Sequence, residues 1–106
     1  MAYIYQVHFD IEPDQMNQLE IGASLERVLG YLRTLLPSQM GFITARAMYS
    51  LAIPDKTHLI FQSVWETWDD IDAHRHSSLL EEKILTEFEP HVPLEDLVSH
   101  IYEEVP

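Results

Sequence analysis

The chain has 106 residues, 46% of them hydrophobic, a size and composition that predict one core and a single domain over residues 1–106. Eighteen Asp and Glu against six Lys and Arg give a formal charge of −12, and the cations (Arg27, Arg33, Arg46, Lys56, Arg75, Lys83) are scattered, so neither nucleic acid nor an anionic membrane surface is expected as a partner. No cysteine means no disulfide, thiolate nucleophile or cysteine-based zinc site, and the lack of a leader-like start or of roughly 20 consecutive apolar residues predicts a cytoplasmic location.

Tyr3, Tyr5, Val7 and Phe9 alternate with Ile4, Gln6 and His8, the period-two pattern of a strand with two unlike faces. Ile21, Leu25, Val28, Leu29, Leu32, Leu35 and Leu36 then recur at helical spacing as one apolar stripe. Pro37 ends that helix, because the residue before proline is pushed out of the α region. Its start is placed near Pro13 or Asp14, although Met16 and Leu19 sit off the stripe and Gly22 costs about 1 kcal/mol relative to Ala.

Two runs, 41–51 and 57–66, read as strands joined by a Pro54-Asp55 turn. In the second, Leu59, Phe61, Ser63 and Trp65 share a face. Thr67 with Asp70, and Ser78 with Glu81, have the spacing of helix N-caps and predict two short helices, the second closed by Glu89-Pro90. Leu97 to Glu104 reads as the last strand.

This order predicts an α+β chain of the ferredoxin-like βαββαβ type: a four-stranded antiparallel sheet with its helices on one face. If Tyr5, Phe9, Phe61 and Trp65 face the helices, the other face carries Ile4, His8, Ile60, Val64, Val98 and Tyr102. So much apolar surface predicts that two copies pair sheet to sheet. His8 and His100 share that face and are expected at the contact. No His/Asp spacing is dense enough to predict a metal site, even with His58 or Asp10 added.

The stretch 65–78, with Trp65-Glu66 at a strand end, a short helix, and Ala73-His74 followed by Ser78, resembles the antibiotic biosynthesis monooxygenase-like dimeric α/β-barrel family. Val7 to Pro13 is similar to that family's opening strand running into a proline-containing turn. The resemblance implies a homodimer whose sheets form a barrel, each subunit holding a pocket between sheet and helices. It implies oxygenation of a small aromatic or quinol-like substrate with no cofactor, neither metal nor flavin. Because the family includes members with no assigned activity, a non-catalytic homodimeric ligand-binding or interaction module is the alternative. The haem-degrading branch uses an Asn on the first strand, where this chain has Gln6.

Cofactor-free oxygenation needs a base that deprotonates an electron-rich phenol or enol, so that the anion can pass an electron to dioxygen away from bulk water. Histidine, with an ordinary pKa of about 6.5, suits that role. Aromatic rings can sandwich a flat substrate and Tyr hydroxyls can orient it. On this reading His74 is the catalytic base, with Trp65, Trp68, His76, Tyr49 and Tyr102 as substrate-binding residues. Helical spacing puts His74 on the face of Asp70 and Ile71, so that Asp70 orients it and Arg75 points to water. Packing is the competing role for both His74 and Trp65. Nucleotide-binding glycine loops and the GxSxG elbow are absent, and Glu81, Glu82, Glu87 and Glu89 read as a solvated face.

Overall fold

The computed structural model describes residues 2–50, 55–77, 79–92 and 97–105. Its elements are β1 (Tyr3–Ile11), α1 (Gln18–Leu35) running into a 3-10 turn (Leu36–Ser38), β2 (Phe42–Tyr49), β3 (Thr57–Trp65), α2 (Trp68–Ser77), α3 (Leu79–Phe88) and β4 (Val98–Glu103). The strands form one antiparallel sheet in the order β2-β3-β1-β4. Both crossovers, β1 to β2 through α1 and β3 to β4 through α2 and α3, skip one strand. That is the ferredoxin-like α+β fold expected from the element order.

Strand alternation carries directly into burial. Tyr5, Val7, Phe9 and Ile11 of β1 and Leu59, Phe61, Ser63 and Trp65 of β3 are buried, and register pairs Tyr5 with Ser63, Val7 with Phe61 and Phe9 with Leu59. Ile21, Val28, Leu32 and Leu36 from α1 and its 3-10 turn, Ile71 from α2, and Ile84 and Phe88 from α3 complete one core. Phe88 meets Phe9 edge-on at 5.3 Å. Each such side chain stabilises the fold by about 1.5–3 kcal/mol relative to exposure. Between the helices, Arg27 Nε donates to Glu87 Oε2 at 2.8 Å and the Lys83 ammonium lies 4.8 Å over the Tyr31 ring, holding α3 beside α1.

Helix α1 starts later than the Pro13-Asp14 start read from the sequence. Asn17 is its N-cap: Asn17 Oδ1 accepts from Glu20 N at 2.9 Å, and Glu20 Oε1 accepts from Asn17 N at 3.1 Å. This reciprocal capping box satisfies two otherwise orphaned donors. Residues 12–15 instead form a turn in which Gln15 N donates to Glu12 O at 3.0 Å, and Met16 drops into the core ahead of the helix. Leu19, off the stripe, is exposed. Asn17→Ala is expected to lower stability by about 1 kcal/mol, seen as a lower urea midpoint with an unchanged slope.

Thr67 caps α2 as expected, its Oγ1 accepting from Asp70 N at 3.1 Å and donating to Asp70 Oδ2 at 2.8 Å. Strand β2 begins and ends inside the run 41–51, and β4 begins one residue after Leu97 and ends one before Glu104. The cap read at Ser78 and the turn residue Pro54 lie outside the described residues. Among the described residues no helix is long and apolar enough to cross a membrane.

Candidate functional site

Capping by Thr67 sets the phase of α2 so that Ile71 and His74 face the sheet while Arg75 is exposed. His74 is only 2% exposed. Its ring stacks on Trp65 with centroids 4.6 Å apart and planes 29° apart, and meets Tyr5 edge-on at 5.9 Å. Trp65 Nε1 donates to Ser63 Oγ at 2.8 Å, which fixes the indole. His74 Nδ1 lies 2.8 Å from Gln39 Oε1. An amide oxygen only accepts, so Nδ1 carries the proton and the basic lone pair is on Nε2.

The orienting group at Nδ1 is therefore Gln39 and not the expected Asp70. Asp70 is engaged by Thr67 and packs against Gly41, whose φ of 80° needs glycine. Gly41 O in turn accepts from Glu66 N at 2.9 Å, tying this turn to the end of β3.

On the helix-facing side of β2 stand Ala45 and Ala47, opposite Ser63 and Phe61 of β3. They are too small to fill the space beneath α1. A cleft of about 410 Å³ results, walled by Leu29, Leu32 and Arg33 of α1 and by the β2 edge from Phe42 to Ala47. Phe42 lines it and meets Trp65 edge-on at 5.5 Å, so this ring stands between the cleft and the Trp65–His74 stack. In a chain of charge −12 the described lining of this cleft holds Arg33 and Arg46 and no acid.

The opposite sheet face holds a second group. His8 and His100 stack at 5.4 Å with planes 26° apart, His58 meets His8 edge-on at 5.1 Å, and Tyr102 lies 5.9 Å from His100. Asp10 Oδ1 accepts from His58 Nδ1 at 2.6 Å and Oδ2 from Lys56 Nζ at 2.9 Å. Those two hydrogen bonds, Lys56 first, hold the Asp10 carboxyl below its ordinary 3.8. Its stabilising contribution is thus in place above that value and is lost as pH falls below it. Among the described residues no three His, Asp or Glu side chains are placed to share a metal ion.

Of the six residues singled out from the sequence, the fold brings two together, His74 and Trp65. Trp68 is half-exposed with its ring 6.4 Å from that of Tyr3. His76 points to water, its Nδ1 2.7 Å from the Asp72 carbonyl. Tyr49, at the end of β2, lines clefts of about 260 and 370 Å³ near the start of α1. Tyr102 is on the face away from the helices, opposite Ile4. Sequence reasoning missed Gln39, Arg33, Phe42 and the Ala45/Ala47 pair. Only the alanines left a signal, two small residues alternating in a strand that an apolar helix must cover.

No protein-family model matches the sequence, and no curated protein does. Solved structures do. A candidate antibiotic biosynthesis monooxygenase from Deinococcus radiodurans is 16% identical with a TM-score of 0.66, over 100% of this chain and 94% of that one. The monooxygenase of the ActVA-Orf6 gene of Streptomyces coelicolor, solved with the ligand nanaomycin D, is 13% identical with a TM-score of 0.66, over 99% and 88%. The chain has the fold of the antibiotic biosynthesis monooxygenase-like proteins. A dimeric ferredoxin-like protein of unknown function from Jannaschia sp. CCS1, 9% identical with a TM-score of 0.68 over 96% and 99%, shares it. At these identities the likeness is one of fold, and it agrees with the resemblance carried by Trp65-Glu66 and Ala73-His74. In this monooxygenase-like fold the α1–β2 cleft lies between sheet and helices, on the side where Trp65 and His74 meet.

Proposed function

We propose that the protein is a homodimer that binds a small aromatic or quinol-like ligand between sheet and helices and oxygenates it without a cofactor, His74 serving as the base. The observation that carries this reading is the His74–Trp65 stack, oriented by Gln39, with Phe42 lining the α1–β2 cleft on one side and meeting Trp65 on the other. Pairing is supported by Ile4, Ile60, Val64, Val98 and Tyr102 on the open sheet face and by the dimeric neighbour of the same fold.

On this reading the Phe42 ring turns aside and the buried Trp65–His74 stack opens to admit a flat phenol from the cleft. His74 Nε2 then takes the phenolic proton, and the Arg33 guanidinium stabilises the anion. The anion gives one electron to dioxygen, the radical pair combines at a ring carbon, and the peroxide takes back the proton held by His74, giving a hydroperoxide. Loss of water leaves a carbonyl: one oxygen atom enters the product, the other departs as water, and both reducing electrons come from the substrate. Trp68, His76, Tyr49 and Tyr102 stand outside this pocket.

A second reading, a non-catalytic homodimeric module of the same fold, is favoured by the near-complete burial of His74. Dioxygen uptake with 1,8-dihydroxyanthrone as probe separates the two. His74→Asn keeps a donor for Gln39 but has no basic nitrogen, so the oxygenase reading expects kcat to fall about 10²-fold or more with the thermal midpoint nearly unchanged. No uptake by the unaltered protein, together with a lower midpoint in the variant, supports packing instead.

A further inference from the structure

Three of the chain's six histidines gather on the open sheet face, His8 on β1 meeting both His58 on β3 and His100 on β4. We propose that the sheet-to-sheet contact between two copies is proton-sensitive: it forms with His8 and His100 neutral, and protonating them separates the copies. This rests on the homodimer reading above and adds its regulation.

The groups facing His8 come from every neighbouring element. Asp10 lies on its own strand, Lys56 and His58 come from the β3 side, and His100 and Tyr102 come from β4. Glu12 and Gln15 border the same cleft from the turn after β1. Arg46 of β2 is opposite Gln62, in the row that continues through Gln6 to His100. Both Asp10 oxygens are taken, by Lys56 and His58, so a charge on His58 is compensated. A charge on His8 or His100 meets another imidazole.

Already in one chain the His8 pKa is pushed below its ordinary 6.5, first by burial and then by His58 and His100, with Asp10 opposing. A second copy over this face removes the water that would solvate an imidazolium, so the shift grows on pairing. Separate copies then bind more protons than the pair, and affinity falls as pH drops through the ordinary histidine range. A unit below it, each histidine kept neutral by the contact weakens the dimer about tenfold. The falling net negative charge acts the other way, but a screening length of about 8 Å at 0.15 M salt leaves the contact-distance repulsion in control.

Sedimentation velocity of the full chain at pH 8.0 and pH 5.5 in 0.15 M NaCl, with circular dichroism confirming the fold at both, tests this. The dissociation constant is expected to rise tenfold or more at pH 5.5. The double variant His8→Gln, His100→Gln is expected to remain dimeric at pH 8.0 and lose most of that response. Should the double variant fail to fold, imidazole proton titrations of the unaltered protein decide, with His8 expected to titrate lower in concentrated than in dilute samples. Equal dimer affinity at both pH values, or titration of His8 at its ordinary value in the dimer, overturns the proton linkage alone. A folded monomer already at pH 8.0 overturns the homodimer reading with it.

Discussion

Val64→Asp is expected to leave a folded monomer in place of the proposed dimer. Val64 stands on the open face of β3, half-buried, with Ile4 of β1 on one side and Thr44 of β2 on the other. In a single chain an aspartate there still reaches water, so the core, which lies on the other side of the sheet, is untouched. Between two copies it becomes a carboxylate shut off from water beside Ile4 and Thr44, with Arg46 diagonal to it on β2 as a partial counter-charge. Removing that carboxylate from water, only partly offset by Arg46, costs about 3 kcal/mol, equivalent to a rise of about 10²-fold in dissociation constant. Sedimentation at tens of micromolar measures it directly. A variant that stays dimeric with native affinity places the interface elsewhere on the molecule.

The second large effect is expected at Gly41, where replacement by Ala should destabilise the fold by about 2–4 kcal/mol. The backbone there has a φ of 80°, which an L side chain adopts only under strain, and a Cβ would overlap the Asp70 carboxylate. Asp70 cannot yield freely because Thr67 Oγ1 holds both its carboxylate and its backbone N–H. Backbone strain of about 1–3 kcal/mol therefore adds to the roughly 1 kcal/mol of a disturbed N-cap. For a domain of this size the thermal midpoint falls by roughly 10 °C or more. Gly22→Ala is the control: it lies inside α1 with nothing within 4 Å of an added Cβ, and the change is expected to stabilise by up to about 1 kcal/mol. Equal midpoints for the two variants would remove the Gly41–Asp70 contact as their explanation. Because Gln39 precedes Gly41 by two residues, the Gly41 variant should also loosen the partner of His74 Nδ1.

Much of the fold is legible in the sequence itself. Period-two alternation decides which side of β1 and β3 faces the helices, because successive side chains in a strand point to opposite faces. It therefore also placed His8 and His100 on the open face, where they stack. Thr67 is readable as a cap because the chemistry is local, a hydroxyl three residues ahead of the backbone N–H it accepts from. The Asn17–Glu20 box has that same local spacing, yet the proline at Pro13 drew the predicted start of α1 toward the turn that residues 12–15 form instead.

What the tertiary structure alone decided is which distant side chains meet. Gln39 reaches His74 across 35 residues, a contact set by how the turn after α1 leans on α2 and carried by no periodicity. The α1–β2 cleft exists because Ala45 and Ala47 happen to lie beneath α1, which depends on the crossover connection and on β2 being an edge strand. For the same reason the aromatic and histidine candidates separated. Alternation assigns Tyr102 and Trp65 to opposite faces, but the distance of Tyr49 from His74 depends on their heights along the sheet. Strand register sets those heights, and register comes from pairing between segments remote in the chain.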